Sequence, residues 1–305
     1  MKKVSFLMAA HNEEKIIYHS LNNLLNLTYG NYEVLIGLDG CTDGTEEIVR
    51  EFCSKSKNFR YFKLNLRSGK PAVINALIKK ARGTIIIVND ADWIFSVHSK
   101  KDFSKLISNF NDSKVGGIAE SLPIEWDKDK MKKGNLGYLM VAYSSYFWME
   151  FQKKFYSYEK KGKRYLKGPE MFMTNIFRRE LYKPNTSLGD DFERTYDIMN
   201  EGKSVILIEN APRMVSYLNH ISLFDLFKQK IRTAKAREQI NRKGMSIPGS
   251  YYLKVIIFMI KESFKSGIKT GVLTSSWIIL TSLATMISKI MRFDTKKGWS
   301  MRIRR

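Results

Sequence analysis

The chain has 305 residues, 52 lysines and arginines against 30 acids, a formal net charge of +22, 44% hydrophobic residues and 12% aromatic residues. That balance excludes a disordered chain, a collagen and a small disulfide-stapled domain, and leaves room for one large α/β domain with an appendage. The two cysteines, Cys41 and Cys53, match no C-x-x-C metal or redox spacing and suit a reducing compartment.

In chain order, strand-like runs alternate with helical patterns. The N-terminal apolar run is too short for a signal peptide before His11-Asn12-Glu13-Glu14, and Val4–Ala9 reads as a first strand. A helix near Glu14–Leu27, a strand over Tyr32–Leu38 and a helix near Gly44–Lys55 follow, then a strand over Phe59–Leu64, a helix near Pro71–Arg82 and the run Thr84–Val88. Asp39-Gly40 and Asp43-Gly44 close the second strand, and Gly83 ends a helix. This rhythm predicts an α/β domain with a mainly parallel sheet covered by helices. Residues 135–160 predict an aromatic, core-packing helix, with a basic, solvated loop over Lys160–Lys167. A helix over Asp191–Asn200, a Gly202 cap and a strand over Ser204–Ile208 come next.

The charge is uneven. Residues 221–305 carry 18 basic and 4 acidic side chains, a surplus of 14, which leaves 8 for residues 1–220. Such a surplus suits nucleic acid, anionic lipid or phosphorylated ligands alike. A nucleic-acid protein would need a groove-reading motif or a sheet of stacking aromatics, and neither is visible.

Asp90 and Asp92 stand two residues apart where the run Thr84–Val88 ends. Strand alternation sends both toward one side, and open α/β sheets bind ligands at that edge. Hard oxygen donors at this spacing suit Mg2+ or Mn2+ bridging a diphosphate, the plainer alternative being a polar strand exit.

Four segments then carry a resemblance: Ala10-His11-Asn12-Glu13-Glu14, Gly37-Leu38-Asp39-Gly40-Cys41-Thr42-Asp43-Gly44-Thr45, Gly69-Lys70 and Asp90-Ala91-Asp92. In order and separation they resemble family-two glycosyltransferases, and the similarity continues through residues 168–232. The resemblance implies the GT-A fold, a Rossmann-like, mixed and mainly parallel sheet flanked by helices, with a C-terminal helical, membrane-associated extension. It implies a catalytic domain over residues 1–220, with a nucleotide-sugar half at about 1–95 and an acceptor half at about 96–220, and a basic helical region over 221–305.

By the same resemblance Ala10, His11, Glu13 and Asp39 hold the base and ribose of a nucleotide sugar, and Lys70 faces its phosphates. Asp92 with Asp90 holds Mg2+ or Mn2+. Asp39 suits the imide N–H of uracil or the N–H edge of guanine, with turn formation as its plainer role. Ala9 replaces the usual proline and Cys41 a common serine. Leu188-Gly189-Asp190-Asp191 matches the family's paired acids: Asp191 is the base that takes the acceptor proton, and Asp190 supports the acceptor side. Both acids also suit a helix N-terminus. Lys228-Gln229-Lys230-Ile231-Arg232-Thr233 is similar to the Gln-x-x-Arg-Trp element of membrane polysaccharide synthases. Gln229 joins the donor set, and Arg232 pairs with the leaving diphosphate. Thr233 replaces the tryptophan, which argues against processive polymerisation. Gly168-Pro169-Glu170 and Asn175–Arg179 match a segment lining the acceptor cleft.

Thr270–Ser288 is nineteen residues without a charge, eight of them Ser or Thr. A single crossing would place seven basic residues of Lys289–Arg305 on the outer side, so no simple span is favoured. Residues 251–268 predict an amphipathic helix with Lys254, Lys261 and Lys265 on one face, opposite Leu253, Ile256, Ile257, Ile260, Phe264 and Ile268. That helix fits an anionic cytoplasmic membrane face. The resulting expectation is a metal-dependent inverting glycosyltransferase, peripheral or monotopic there. It takes a UDP-sugar ahead of a GDP-sugar, and a hydroxyl on a glycan or lipid-linked acceptor. The alternative is a polyprenyl- or dolichyl-phosphate sugar synthase, whose acceptor is already an anion.

Overall fold

The computed structural model describes residues 2–64, 66–94, 100–120, 128–169, 172–184, 187–208, 220–245 and 247–291. Glu170 and the tail from residue 292 onward therefore lie outside the described residues. The elements are β1 (Val4–Ala10), α1 (Ile17–Leu25), β2 (Tyr32–Asp39), α2 (Thr45–Lys55), β3 (Phe59–Leu64), α3 (Lys70–Ile78), β4 (Ile85–Val88), α4 (Lys100–Ser108) and β5 (Val115–Glu120). They continue as α5 (Lys128–Lys133), α6 (Leu136–Tyr156), β6 (Ser157–Lys160), β7 (Lys163–Leu166), β8 (Thr174–Arg178), α7 (Asp190–Asn200), β9 (Ser204–Ile208), α8 (Leu223–Arg242), α9 (Gly249–Lys265) and α10 (Ile268–Ile290).

The described strands form one sheet in the order β3-β2-β1-β4-β8-β5-β9-β7-β6. β1 to β4 are mutually parallel where they pair, β8 runs antiparallel to both β4 and β5, and β9 is parallel to β5. Every residue of β1 and of β2 is buried. Central parallel strands covered on both faces have no solvated side, so Val4–Ala10 is a continuous apolar run except for Ser5. Ser5 donates to the buried Glu33 carboxylate at 2.6 Å, which also accepts from Arg82 N at 2.6 Å and Arg60 at 2.6 Å. Burial pulls the Glu33 pKa upward, but these hydrogen bonds outweigh it and hold it low.

The basic loop expected over Lys160–Lys167 is instead the hairpin of β6 and β7. Lys161 and Gly162 both have positive φ, 51° and 70°, the conformation a two-residue turn between twisted strands requires.

The chain divides into two compact units. The first comprises Met1–Ser121, Glu159–Thr186 and Asp190–Val215; the second comprises Leu122–Tyr158, Ser187–Gly189 and Ser216–Arg305. α6, placed in the 1–220 region by sequence, falls in the second unit, where Tyr138, Leu139, Met140 and Val141 pack with Ile221, Leu226 and Leu273.

Within the second unit, α9 buries Tyr251, Val255, Met259 and Ser263. The stripe Leu253, Ile257, Ile260 and Phe264 is exposed. At about 100° per residue, Lys254, Lys261 and Lys265 flank that stripe instead of opposing it. α10 is likewise buried at Leu273, Thr274, Ala284 and Ser288 and exposed at Ile268, Val272, Ile279, Leu283, Met286 and Ile290. Its 23 residues are long and apolar enough to cross a membrane by length and composition, at about 1.5 Å per residue.

Candidate active site

Strand register sets where the chemistry can gather. Ala10 pairs with Leu38, Leu7 with Val88 and Asp39 with Leu64, so β1, β2, β3 and β4 all end at one sheet edge. The antiparallel β8 brings its first residues, Thr174 and Asn175, to that same edge. Loops after these strands therefore converge without any long-range design beyond the sheet itself.

The first loop is laced to the second. Asn12, at a φ of 54°, accepts from Thr42 N at 2.8 Å; Glu13 N donates to Thr45 Oγ1 at 2.8 Å, and Glu14 accepts from Gly44 N at 2.9 Å. His11 Nδ1 lies 2.7 Å from the Asp39 carbonyl. A carbonyl only accepts, so Nδ1 carries the proton. Ala10 is buried at the end of β1, and Glu13 is buried beside it. Asp39 is fully buried, and its two oxygens accept from Ser68 N at 2.6 Å and Gly69 N at 2.8 Å. Here the carboxylate organises the turn into α3.

That turn delivers Lys70. Gly69, at a φ of 87°, bends the chain, and the Lys70 ammonium then lies 2.9 Å from Asp90 Oδ1 and 3.9 Å from Asp190 Oδ1. Burial works against its charge, but Asp190, Asp90 and Asp191 together raise its pKa.

Asp90 and Asp92 are not on the strand. β4 stops at Val88, and Trp93 N donates to Asp90 O at 3.0 Å, so a turn aims the two acids. This corrects the strand-alternation argument. The turn is anchored by two residues the sequence reading missed. Asn89 donates to Ser20 Oγ at 3.1 Å and to Asp90 O at 3.0 Å, while Ser20 donates to Trp93 O at 2.5 Å. Asp90 is half-buried and Asp92 is buried.

Asp190 and Asp191 open α7. Asp190 accepts from Arg194 Nη1 at 2.8 Å; Arg194, only 2% exposed, also donates to Thr174 O at 3.0 Å and Asn175 Oδ1 at 2.9 Å. Burial raises the Asp190 pKa, but Lys70 and Arg194 outweigh it, so this carboxyl stays low. Asp191 is raised, by burial and then by the charge of Asp190, and its Oδ1 accepts from Phe192 N at 3.0 Å. The sequence reading also missed Arg194, although an acid and an arginine four apart on a helix are a visible pair. Thus Lys70, Asp90, Asp190 and Asp191 share one electrostatic neighbourhood, with Asp39 behind the loop that carries Lys70.

Among the described residues no three His, Cys, Asp or Glu side chains gather as a metal-binding group. A divalent ion on a diphosphate needs only one or two carboxylates, because phosphate oxygens and water complete its octahedron. Asp92 and Asp90 supply oxygen donors of that chemistry, with both Asp90 oxygens also within 3.2 Å of the Lys70 ammonium. Gln229 and Arg232, assigned to the donor by resemblance, lie on α8 in the second unit, where Gln229 Oε1 is buried without a hydrogen-bond partner.

Residues 5–184, more than half of the chain, match the model of glycosyl transferase family 2, and the chain belongs to that family. Poly-beta-1,6-N-acetyl-D-glucosamine synthase of Staphylococcus epidermidis is 35% identical over 91 residues, 30% of this chain and 22% of that protein. The chain thus spans less than a quarter of the length of that curated relative. Among solved structures, a mannosyltransferase from Pyrobaculum calidifontis in complex with GDP-Man and Mn2+ is similar at a TM-score of 0.54 and 16% identity, over 98% of this chain and 78% of that one. GalNAc-T7 with UDP, GalNAc and Mn2+ is similar at 0.50 and 16% identity, over 72% of this chain and 44% of that one. These likenesses establish the GT-A fold.

Removing the arginine tests the acid cluster. Arg194→Met leaves Asp190 buried with Lys70, 3.9 Å away, as its nearest cation among the described residues. Urea unfolding should register a loss of about 3–5 kcal/mol, part of it recovered in Asp190→Asn/Arg194→Met. A loss below about 1 kcal/mol would mean that the pair is solvated and merely superficial.

Proposed function

We propose that the chain is an inverting glycosyltransferase that moves a sugar from a nucleoside diphosphate sugar to an acceptor hydroxyl, with Asp191 as the base. The observation that carries this is the unequal treatment of two adjacent acids. Asp190 is pinned as an anion by Arg194 and Lys70, while Asp191 has no basic side chain at hydrogen-bond distance among the described residues and is pushed toward neutrality by burial and the charge of Asp190. A carboxylate whose pKa lies nearer the working pH is the better proton acceptor.

In this reading Asp191 removes the acceptor proton as the oxygen attacks the anomeric carbon opposite the departing diphosphate. Lys70 faces the phosphates, and Ala10, His11, Glu13 and Asp39 form the nucleoside end. Asp92 with Asp90 would hold Mg2+ or Mn2+, which would supply charge neutralisation at the diphosphate. Mn2+ in both fold neighbours supports the metal, and the nucleotides there, GDP-Man in one and UDP in the other, support a nucleoside diphosphate sugar as donor.

The second unit supports work at an anionic, cytoplasmic membrane face. Its helices α9 and α10 bury Ser263, Thr274 and Ser288 while exposing leucines and isoleucines, with Lys254, Lys261 and Lys265 beside them. That arrangement matches an apolar stripe set into lipid with lysines reaching the headgroups.

Asp191→Asn should lower transfer to a hydroxyl acceptor by about 10²–10⁴-fold while donor binding stays nearly intact. Transfer at the wild-type rate would sink the base assignment. Insensitivity confined to a lipid-phosphate acceptor would favour a sugar-phosphate lipid synthase, since a phosphate anion needs no base. For the wild type, the rate should fall as pH drops through the raised Asp191 pKa and level off above it; a flat acid limb contradicts the role. Flotation with phosphatidylglycerol vesicles should carry the full chain upward, and Leu253→Ser/Ile257→Ser/Phe264→Ser should remain in the lower fraction. Equal flotation of the two proteins would remove α9 from the membrane contact.

A further inference from the structure

The helical unit contains two neighbouring cations to which no acid answers. Lys230 and Arg237 are seven residues apart on α8, hence on one face of it. The Lys230 ammonium sits 4.4 Å from the ring centroid of Trp277 on α10, and the Arg237 guanidinium 5.6 Å from that of Tyr252 on α9. Among the described residues neither cation has an ion pair, and Arg237 Nε is buried with no hydrogen-bond partner. The acids of the surrounding helices are committed to other cations. Glu150 lies 3.3 Å from Lys153, Asp225 3.9 Å from Lys228, Glu238 2.8 Å from Lys235, and Glu262 3.0 Å from Lys265. α10 has no acid at all.

The facing side of α10 offers donors. Thr274 Oγ1, Trp277 Nε1 and Thr281 Oγ1 follow one another at helical spacing, and each is buried without a hydrogen-bond partner. Burial and the charge of Arg237 pull Lys230 down to about 7, the mark of an ammonium that has lost water and gained no counter-charge. Buried polar groups are ordinarily satisfied, and a buried cation is ordinarily paired. What is missing from this seam is an anion with several acceptor oxygens. A carboxylate offers two oxygens; a phosphate group offers more, and it suits a guanidinium fork beside an ammonium.

We propose that Lys230, Arg237 and the α10 face bearing Thr274, Trp277 and Thr281 form a binding site for a phosphate group. Its residues all belong to the second unit and are none of those that carry the proposed transfer reaction, so its fate does not depend on that reading. A lipid headgroup and free phosphate share the required chemistry.

The test uses the full chain, Lys230→Gln and Arg237→Gln. Removing an unpaired buried cation does not threaten folding, and Lys230→Arg keeps the charge as a second variant. Binding of inorganic phosphate is measured by calorimetry, and capture by phosphatidic acid vesicles is compared with capture by phosphatidylcholine vesicles. A free-phosphate site shows calorimetric binding that weakens about tenfold or more in the Gln variants and persists in Lys230→Arg, with vesicle capture unchanged. A headgroup site shows the same loss in phosphatidic acid capture instead. Either result supports the proposal and names the source. Equal behaviour of wild type and Gln variants in both assays overturns it. On the wild-type chain, NMR of isotopically methylated lysines follows Lys230 directly. Its titration midpoint should rise from about 7 toward the ordinary lysine range when the phosphate ligand found above is added, and a fixed midpoint also overturns the site.

Discussion

One buried ammonium holds the acid cluster together. Asp90, Asp190 and Asp191 all act on Lys70, and three desolvated carboxylates in one neighbourhood could not share that space as anions without a cation among them. The loop geometry follows from this need. Gly69 takes a φ of 87° so that the chain can turn into α3 with Lys70 at its first position, and buried Asp39 grips Ser68 N and Gly69 N to fix the turn. The most buried acid of the nucleotide-side motif thus acts one residue upstream of the lysine that the other acids require.

Arg194 completes the arrangement from the other side. Its three bonds tie the start of α7 to Thr174 and Asn175 on β8, so the helix that carries both acids is referenced to the sheet. A fixed anion at Asp190 then has an electrostatic consequence for its neighbour. Like charge plus burial raises Asp191, and the division of labour between two chemically identical side chains comes from their partners alone. The same logic would fail if Asp190 were free to rotate into water, because its charge would be screened.

The sequence made the frame legible where physics is local. Continuous apolar runs marked β1, β2 and β4, and turn residues marked the loops between them, because a strand buried on both faces has no polar alternation to confuse the pattern. Phe59–Leu64 and Ser204–Ile208 coincide with β3 and β9. What could not be read was non-local. β8 is a five-residue strand inserted antiparallel between β4 and β5, and only partners some ninety and sixty residues away in sequence define it. Asn89 and Ser20 clamp the Asp90 turn from 69 residues apart, which no periodicity reveals. The spacing of Asp90 and Asp92 was visible, but the turn that aims them was not.

The second unit shows what composition alone leaves out of α10, namely which of its residues face inward. Eight Ser and Thr residues in nineteen look like a helix too polar for lipid. The structure sorts them by direction. Thr274 and Ser288 point into the helical unit, whereas Ile268, Val272, Ile279, Leu283, Met286 and Ile290 face outward. α9 likewise leaves Leu253, Ile257 and Phe264 exposed while burying Tyr251, Val255 and Met259 beside Ser263. Both helices thus carry an exposed apolar stripe beside a buried side on which apolar residues and small hydroxyls mix. The membrane contact proposed above draws on this pattern, small hydroxylated residues between helices and large aliphatic ones outside, because in lipid helices associate through close packing and interhelical hydrogen bonds.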